Sequence, residues 1–399
     1  MKSEFITKPL SEIADIQTGP FGSQLHKEDY VQVGTPIVTV EHLGKKSFTK
    51  RNLPCVSNDD KERLSKYILQ EGDIVFSRVG SVDRCSYVSH DYDGWLFSGR
   101  CLRVRPLMEI DPQYLYYFFT LESTKQFVRG IATGATMPSI NTKFMGEIPI
   151  VYPKIDVQRK IASIFNLLDD KIELNRNINE NLEQQAEALF HSLFIENANP
   201  TWKDGVLSDL GTVVAGGTPS KTKPEYYSEQ GIAWITPKDL SLNKSKFISR
   251  GEIDISELGF SKSSATKMPT GTVLFSSRAP IGYIAIAANE VTTNQGFKSV
   301  VPNENVGTAF IYYLLKFLLP TIEGMASGST FKEISGTGMK SVPVVIPDNE
   351  AIEKFNAFCT PIFQQQEVLE AENSRFADIR DALLPKLMYG ELDVSDIDL

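Results

Sequence analysis

Two stretches of the chain carry an apolar residue at about every seventh position. In the first, Ile161, Leu168, Asn175, Leu182 and Leu189 keep the period, and Phe165, Ile172, Ala186 and Leu193 fill the companion positions. In the second, Phe355, Ile362, Leu369, Phe376 and Leu383 repeat it. A seven-residue apolar period is the seam of a coiled coil. Pro153 and Pro347 stand just ahead of the two stretches, which suits a helix start nearby. About 38 residues at ~1.5 Å rise make a rod of roughly 57 Å. Each rod has an apolar stripe to bury, and the other rod is the nearest partner. Antiparallel pairing would set the remaining blocks at opposite ends, around an approximate two-fold axis. Asn175 is a polar residue at a seam position: it either fixes the register or sits at the seam's edge.

The rest of the chain has a shorter rhythm. Alternations such as "TPIVTVEH" and "GIAWITPKD" read as strands, 113–128 and 309–319 read as helical pieces, and Gly and Pro punctuate the whole. That is an α+β pattern rich in turns. It also occurs twice. "LSEIADIQ" before "TGPFGS" returns as "LSDLGTVV" before "AGGTPS". "DIVFSRVGS" (73–81) returns as "TVLFSSRAPIG" (272–282), which places Arg78 near Arg278. "QYLYYFF" (113–119) returns as "AFIYYLL" (309–315). Residues 130–153 match 324–347 without a gap. The expected fold is therefore α+β, with two tandem globular domains joined by two long antiparallel coiled-coil helices. The domains expected are 1–153, a central helix 154–198, 199–347, a C-terminal helix 348–393 and an acidic tail 394–399. The linker is "ENANPTW", with Pro200 ending the helical run.

Charge alters this picture in one respect. The net charge is −9, which by itself discourages a nucleic-acid partner. Its distribution does not: residues 1–150 sum to 0 and 200–347 to +2, whereas 151–199 sum to −3 and 348–399 to −8. The acid is concentrated on the helices and tail, and a local basic face on either block can still meet phosphates. The apolar runs 281–288 and 310–319 are too short to cross a bilayer, and "MKSEFITK" is not a secretion signal. Four cysteines without CxxC spacing fit a reducing, cytoplasmic setting and no zinc site.

Catalytic signatures are missing. "SGTGMKS" departs from a phosphate-binding loop because Met339 separates Gly338 from Lys340. No Rossmann fingerprint, metalloprotease motif or nucleophile elbow is present, and the four histidines lack ligand spacing. The duplicated loops read better as contact surfaces. Backbone N–H groups, hydroxyls and Lys or Arg are the usual donors to phosphate, and Arg also forks onto guanine. In the first block the candidates are Phe21, Ser23, Lys27, Lys45, Lys46, Arg78, Arg84, Arg100, Asn141 and Lys143. In the second they are Thr218, Ser220, Lys221, Lys223, Lys238, Arg278, Lys298, Thr330 and Lys332.

Taken together, "LSEIADIQTGPFGS", "GDIVFSRVGS", "ATGATMPSINTKFMGEIPIVYP" with "QRKIASIFNLLDDKIE", and their second copies "AGGTPSKTKPEYY", "IAWITPKDL", "FSSRAPIG", "TTNQGFKS", "SGSTFKEISG", "VPVVIP" and "LLPKLMYGEL" resemble the specificity subunit of type I restriction-modification systems. The resemblance covers essentially the whole chain. It implies two target-recognition domains, each reading one half of an asymmetric, split sequence in double-stranded DNA, with the helices as spacer. It further implies two adenine methyltransferase subunits as partners and a motor-nuclease subunit as an additional one. Catalysis, S-adenosylmethionine, ATP and Mg would then belong to those partners, and this chain would hold no cofactor. Family members often carry Glu-Gln before the helix, where this chain has Val157-Gln158 and Ala351-Ile352. Two other readings compete: a two-headed protein-binding scaffold that never touches nucleic acid, and an enzyme with an unfamiliar site.

Overall fold

The structure is a computed structural model that describes residues 4–21, 24–328 and 332–394, apart from the side chain of Lys27. It divides into two units, Met1–Lys171 with Arg375–Leu399, and Ile172–Ser374.

In the first unit the main sheet runs in the order Ala14–Thr18, Cys101–Pro106, Ile74–Ser77, Cys85–Tyr87, all antiparallel. The strand Ile74–Ser77 is buried on both faces. Ile74 and Phe76 enter one core and Val75 the other, because successive side chains point to opposite sides of a sheet. That explains why Ile74, Val75 and Phe76 are apolar in succession and do not alternate with polar residues. The first core is closed by the helix Pro112–Thr120. Asp111 starts this helix by accepting from the N–H groups of Gln113 and Tyr114 at 3.0 and 2.9 Å, and Pro112 follows at the first helical position. Its Tyr114, Tyr117 and Phe119 are almost fully buried. The second core lies under a small sheet ordered Tyr30–Val31, Cys55–Val56, Thr35–Val38, Leu96–Phe97. A separate pair, Ile6–Pro9 with Pro149–Tyr152, completes the unit.

The second unit repeats the plan. Gly211–Ala215, Lys298–Pro302, Val273–Ser277 and Ile281–Ala287 form the main sheet, with Phe247–Ile248 added in parallel at its edge. Val273 and Phe275 face one core and Leu274 the other. Thr308–Phe317 is the counterpart of the aromatic helix, and Lys203–Val206 pairs with Pro343–Ile346. Each expected helical piece is in fact two helices. Glu122–Ile131 follows Pro112–Thr120 after an extended Leu121, and Leu319–Met325 follows Thr308–Phe317 with Pro320 in its first turn. The strand expected in "GIAWITPKD" shrinks to Trp234–Ile235, because Pro237 opens a helix to Leu242.

The seven-residue periods are helices, Ile155–His191 and Asn349–Met388, of 37 and 40 residues. In the first unit Ile161, Phe165, Leu384, Leu387 and Met388 share one core, with Leu168 and Leu383 alongside, and Arg380 donates to Asp169 at 2.9 Å. In the second unit Ala186, Phe190, Phe355, Cys359 and Ile362 share a core, with Leu182 and Leu189 alongside. There Asn175 is fully buried and donates through Nδ2 to Glu372 and Asn373, at 2.6 and 3.0 Å. Four residues further along, the Asn179 carbonyl accepts from Gln366 at 3.1 Å. One helix therefore advances as the other recedes, so the two segments are antiparallel in that unit. Leu369 is buried and Phe376 half-buried. The stretch expected as a linker is pinned: the helical run continues as a π turn to Glu196, and the Trp202 indole donates to Asp348 at 2.9 Å.

Gln158, at the departure from Glu-Gln, has a structural task. It is fully buried, donates to the carbonyls of Pro153 and Glu109, and accepts from Asp111 N–H at 2.8 Å. It ties the helix start to the loop before the aromatic helix. Ile352 takes the matching place in the second copy and is buried among apolar neighbours.

Candidate nucleic-acid interface

In each unit the duplicated loops gather at one end of the main sheet. In the first, the segment after Thr18 crosses the turn at Ser98–Arg100, with Gly19 N–H donating to Cys101 at 3.2 Å. A Cβ on Gly99 would lie 2.2 Å from the Pro20 carbonyl, so glycine is what lets these two backbones touch. Arg78 N–H donates to Arg100 at 2.8 Å, and Ile140 N–H to Arg78 at 3.0 Å. Gly80 N–H donates to Pro138 at 2.8 Å. The four loops 19–21, 78–84, 98–100 and 133–141 are thus laced by main-chain bonds.

The second unit repeats the lacing. Gly217 N–H donates to Thr293 at 2.9 Å, Ser277 N–H to Gly296 at 2.7 Å, and Ile334 N–H to Ser277 at 3.1 Å. This pattern corrects one expectation. Arg78 bonds to the residues before Cys101 and at Ile140, and Ser277, not Arg278, makes the corresponding bonds. Arg278 instead pairs across to Glu333, as Val79 pairs across to Ser139. The extra serine of "LFSSR" relative to "VFSR" shifts the arginine by one place, so the two arginines are neighbours in the plan and not equivalents.

The candidate side chains divide by what they touch. The Arg78 guanidinium lies over the exposed Phe21 ring, 4.4 Å from its centroid, and donates to the Gly99 carbonyl at 3.2 Å. Lys45, Arg100 and Lys143 are exposed. Asn141 caps the short helix Thr142–Gly146, accepting from Phe144 N–H at 2.9 Å. In the second unit Thr218 accepts from Gln295 N–H at 3.4 Å, and the exposed Ser220 bonds with Thr222 at 2.9 Å. Lys221 and Lys332 are exposed, and Lys223 lies 3.8 Å from Glu225. Lys238 is paired with Glu252 at 2.5 Å. Ser23, Thr330 and the side chain of Lys27 lie outside the described residues.

Three candidates are engaged inside the fold. Arg84 is exposed but donates to the Leu43 carbonyl. Lys298 is buried between Ser277 and Glu333, 3.5 and 3.4 Å away. Lys46 donates to Asn166 on the central helix at 2.8 Å, with Asp170 3.7 Å away. As they stand, these cations are directed at the protein.

Lys46 belongs to a cluster that the sequence did not signal. Tyr117 donates to Asp169 at 2.8 Å beside it. The second unit has a counterpart: Lys246 is ion-paired with Glu183 and donates to Gln366 at 2.7 Å. Lys316 reaches Glu183 at 2.8 Å and Tyr313 donates to it at 2.9 Å. Burial pushes the Glu183 carboxyl up, but the two lysines outweigh it and bring it down to about 2. Burial in turn holds the Lys246 ammonium below its usual value, against the pull of Glu183. A recurring lysine–tyrosine pair ahead of the helices was the available signal. Burial raises the Cys85 and Cys101 thiols to about 12, which leaves them inert as nucleophiles. Among the described residues no group of three or more His, Cys, Asp or Glu is placed to hold a metal ion. Nor, among the described residues, is any helix long and apolar enough to cross a membrane.

The sequence pattern of the type I restriction modification DNA specificity domain matches residues 2–184 and again 199–371. The chain belongs to this family. Such specificity subunits recognise DNA sequence and are non-catalytic; catalysis lies in the methyltransferase and nuclease subunits. The chain is 25% identical to the type I restriction enzyme HindI specificity subunit of Haemophilus influenzae, over 82% of this chain and 88% of that one. It is 41% identical to the MjaIX specificity subunit of Methanocaldococcus jannaschii over 155 residues, 38% of this chain and 36% of that one. Its fold is similar to the crystal structure of a type I S subunit from M. genitalium, with a TM-score of 0.66 and 17% identity over 97% of this chain and 96% of that one.

Proposed function

We propose that each unit presents its laced loop cluster to one half of a bipartite, asymmetric DNA site. The observation that carries this is the duplication itself. The same four loops stand at the same end of the same sheet in both units, yet the side chains they display differ. Two like folds with unlike loops suit two unlike half-sites, as dimeric readers suit two like ones. Exposed Lys45, Arg100 and Lys143 in the first unit, and Lys221, Lys223 and Lys332 in the second, would supply phosphate contacts. Phe21 with Arg78, and Arg278, stand closest to base edges in this scheme.

The domain limits proposed are those of the sequence reading, with the two long helices paired antiparallel as a spacer coiled coil. Two methyltransferase subunits would dock on these helices. Exposed apolar residues on the helices support this: Leu174 and Ile178, four residues apart on the central helix, and Phe358 and Val368 on the other helix. A motor-nuclease subunit would join through them. S-adenosylmethionine, ATP and Mg would be bound by those partners.

The test is DNA binding by this chain complexed with its methyltransferase subunits, measured across salt. A reader that neutralises phosphates loses affinity linearly in log–log form, with a slope of about −0.9 per contact. A flat response would leave the scaffold reading in its place.

A further inference from the structure

The two loop clusters differ in charge at one spot. In the second unit Arg278 Nη1 lies 3.2 Å from Glu333 Oε2, and Lys298 Nζ lies 3.4 Å from Glu333 Oε1. Lys298 also reaches the Ser277 hydroxyl at 3.5 Å. The main-chain pairings give the first unit's equivalents. Val79 pairs with Ser139 as Arg278 pairs with Glu333. Leu102 faces Thr18, and Lys298 faces Ala215, in the same place of their sheets. Three charged groups in one unit thus replace Val79, Ser139 and Leu102 in the other.

The exposure of the three charges is graded. Lys298 is 11% accessible, whereas Arg278 and Glu333 are 36% and 34% accessible. The lysine is a buried anchor that holds the carboxylate in place from below. The other two present a fixed donor beside a fixed acceptor at the open end of the sheet. A guanidinium has five N–H donors and this one directs a single nitrogen at Glu333, so further donors remain. The carboxylate likewise has lone pairs left after its two partners.

A donor fork beside an acceptor matches one base pair best. In the major groove guanine offers the acceptors O6 and N7, and its cytosine offers the N4 amino donor. We propose that Arg278 and Glu333 together read a G·C pair in the half-site of the second unit, with Lys298 as the positioning residue. This rests on the reading of the units as half-site readers. The first unit, with Val79 and Ser139 at that spot, has no such reader, so the requirement falls in one half-site only.

The experiment uses the complex of this chain with its methyltransferase subunits, and maps methylation on a library of randomised duplexes. The variants are Arg278→Val, Glu333→Ser and the near-isosteric Glu333→Gln, which keeps the side chain's shape where Glu333→Ser fails to fold. We expect discrimination at one G·C position of one half-site to fall about 10- to 100-fold, with the other half-site unchanged. If the wild type is selective and every position survives all three variants, the pair is not a reader. Uniform loss across all sequences would reduce Arg278 to a phosphate contact and overturn the proposal equally. If the wild-type complex shows no base preference in either half, the half-site reading itself falls, and this proposal with it.

Discussion

Glu183 shows what a single side chain contributes here. Its carboxylate pairs with both Lys246 and Lys316 in the second unit and is held at a pKa of about 2 against an ordinary 4.5. A depressed carboxyl stabilises the fold fully above its unfolded value, and that stability is lost as pH falls from about 4.5 through about 2. Glu183→Gln therefore costs about 3 kcal/mol near neutrality, because it leaves a buried ammonium without its anion. The deficit relative to wild type should shrink as pH drops from 5 toward 3. Denaturant titrations of both proteins at pH 7, 5 and 3 check this, and a deficit that does not change with pH contradicts it. Nothing in the sequence marked Glu183 beyond its place on a helix, since its partners lie 63 and 133 residues away. The same limit explains Lys46 and Lys298, where residue type alone pointed to DNA and the partners that engage them are distant in sequence.

The long helices were the most legible elements, because a seven-residue apolar period needs no tertiary information. The buried Asn175 was visible as an anomaly, and the structure buries it beside Glu372 and Asn373 with its Oδ1 unpartnered. An orphaned buried acceptor is destabilising. Its partners Glu372 and Asn373 are half-buried and keep access to water. Asn175→Leu should thus raise the melting temperature, by an amount equivalent to about 1 kcal/mol, while weakening the preference for one register. Calorimetry reads the first effect, and a lowered melting temperature would contradict it. The helix breaks were not legible in the same way. Leu121 interrupts an unbroken helical pattern because its extended backbone redirects the chain, a tertiary demand that overrides propensity.

For the molecule as a whole, duplication in the sequence was legible and its consequences for assembly were only partly so. The offsets located the repeats, but not the one-residue shift between the arginines, which only the hydrogen-bond pattern reveals. Residues 395–399 of the expected acidic tail lie outside the described residues, but the stretch just before them is packed. Val394 is buried in the first unit's core, Gly390 lies against Phe5, and Tyr389 bonds to Ser123 at 2.7 Å. Truncation after Met388 should weaken the first unit by about 2 kcal/mol through lost burial. Trp95 is the one tryptophan in that unit, against Trp202 and Trp234 in the other, so after Trp202 and Trp234 are replaced its fluorescence follows the loss selectively. Exchanging residues 1–150 for those of another family member should alter one half of the methylated motif and spare the other. Methylome sequencing with both halves altered would refute that independence.

The first unit is built from residues 1–171 together with 375–399, whereas the second is the uninterrupted stretch 172–374. A ribosome delivers these pieces in order. The N-terminal segment must therefore wait, with Phe165 and Ile161 lacking their Leu384 and Leu387 neighbours, until those residues have been made. The later-made unit has all of its own chain sooner, and so reverses the usual N-terminus-first sequence of maturation. A released chain truncated after residue 374, probed with protease, should protect the downstream unit while the upstream one is still cut.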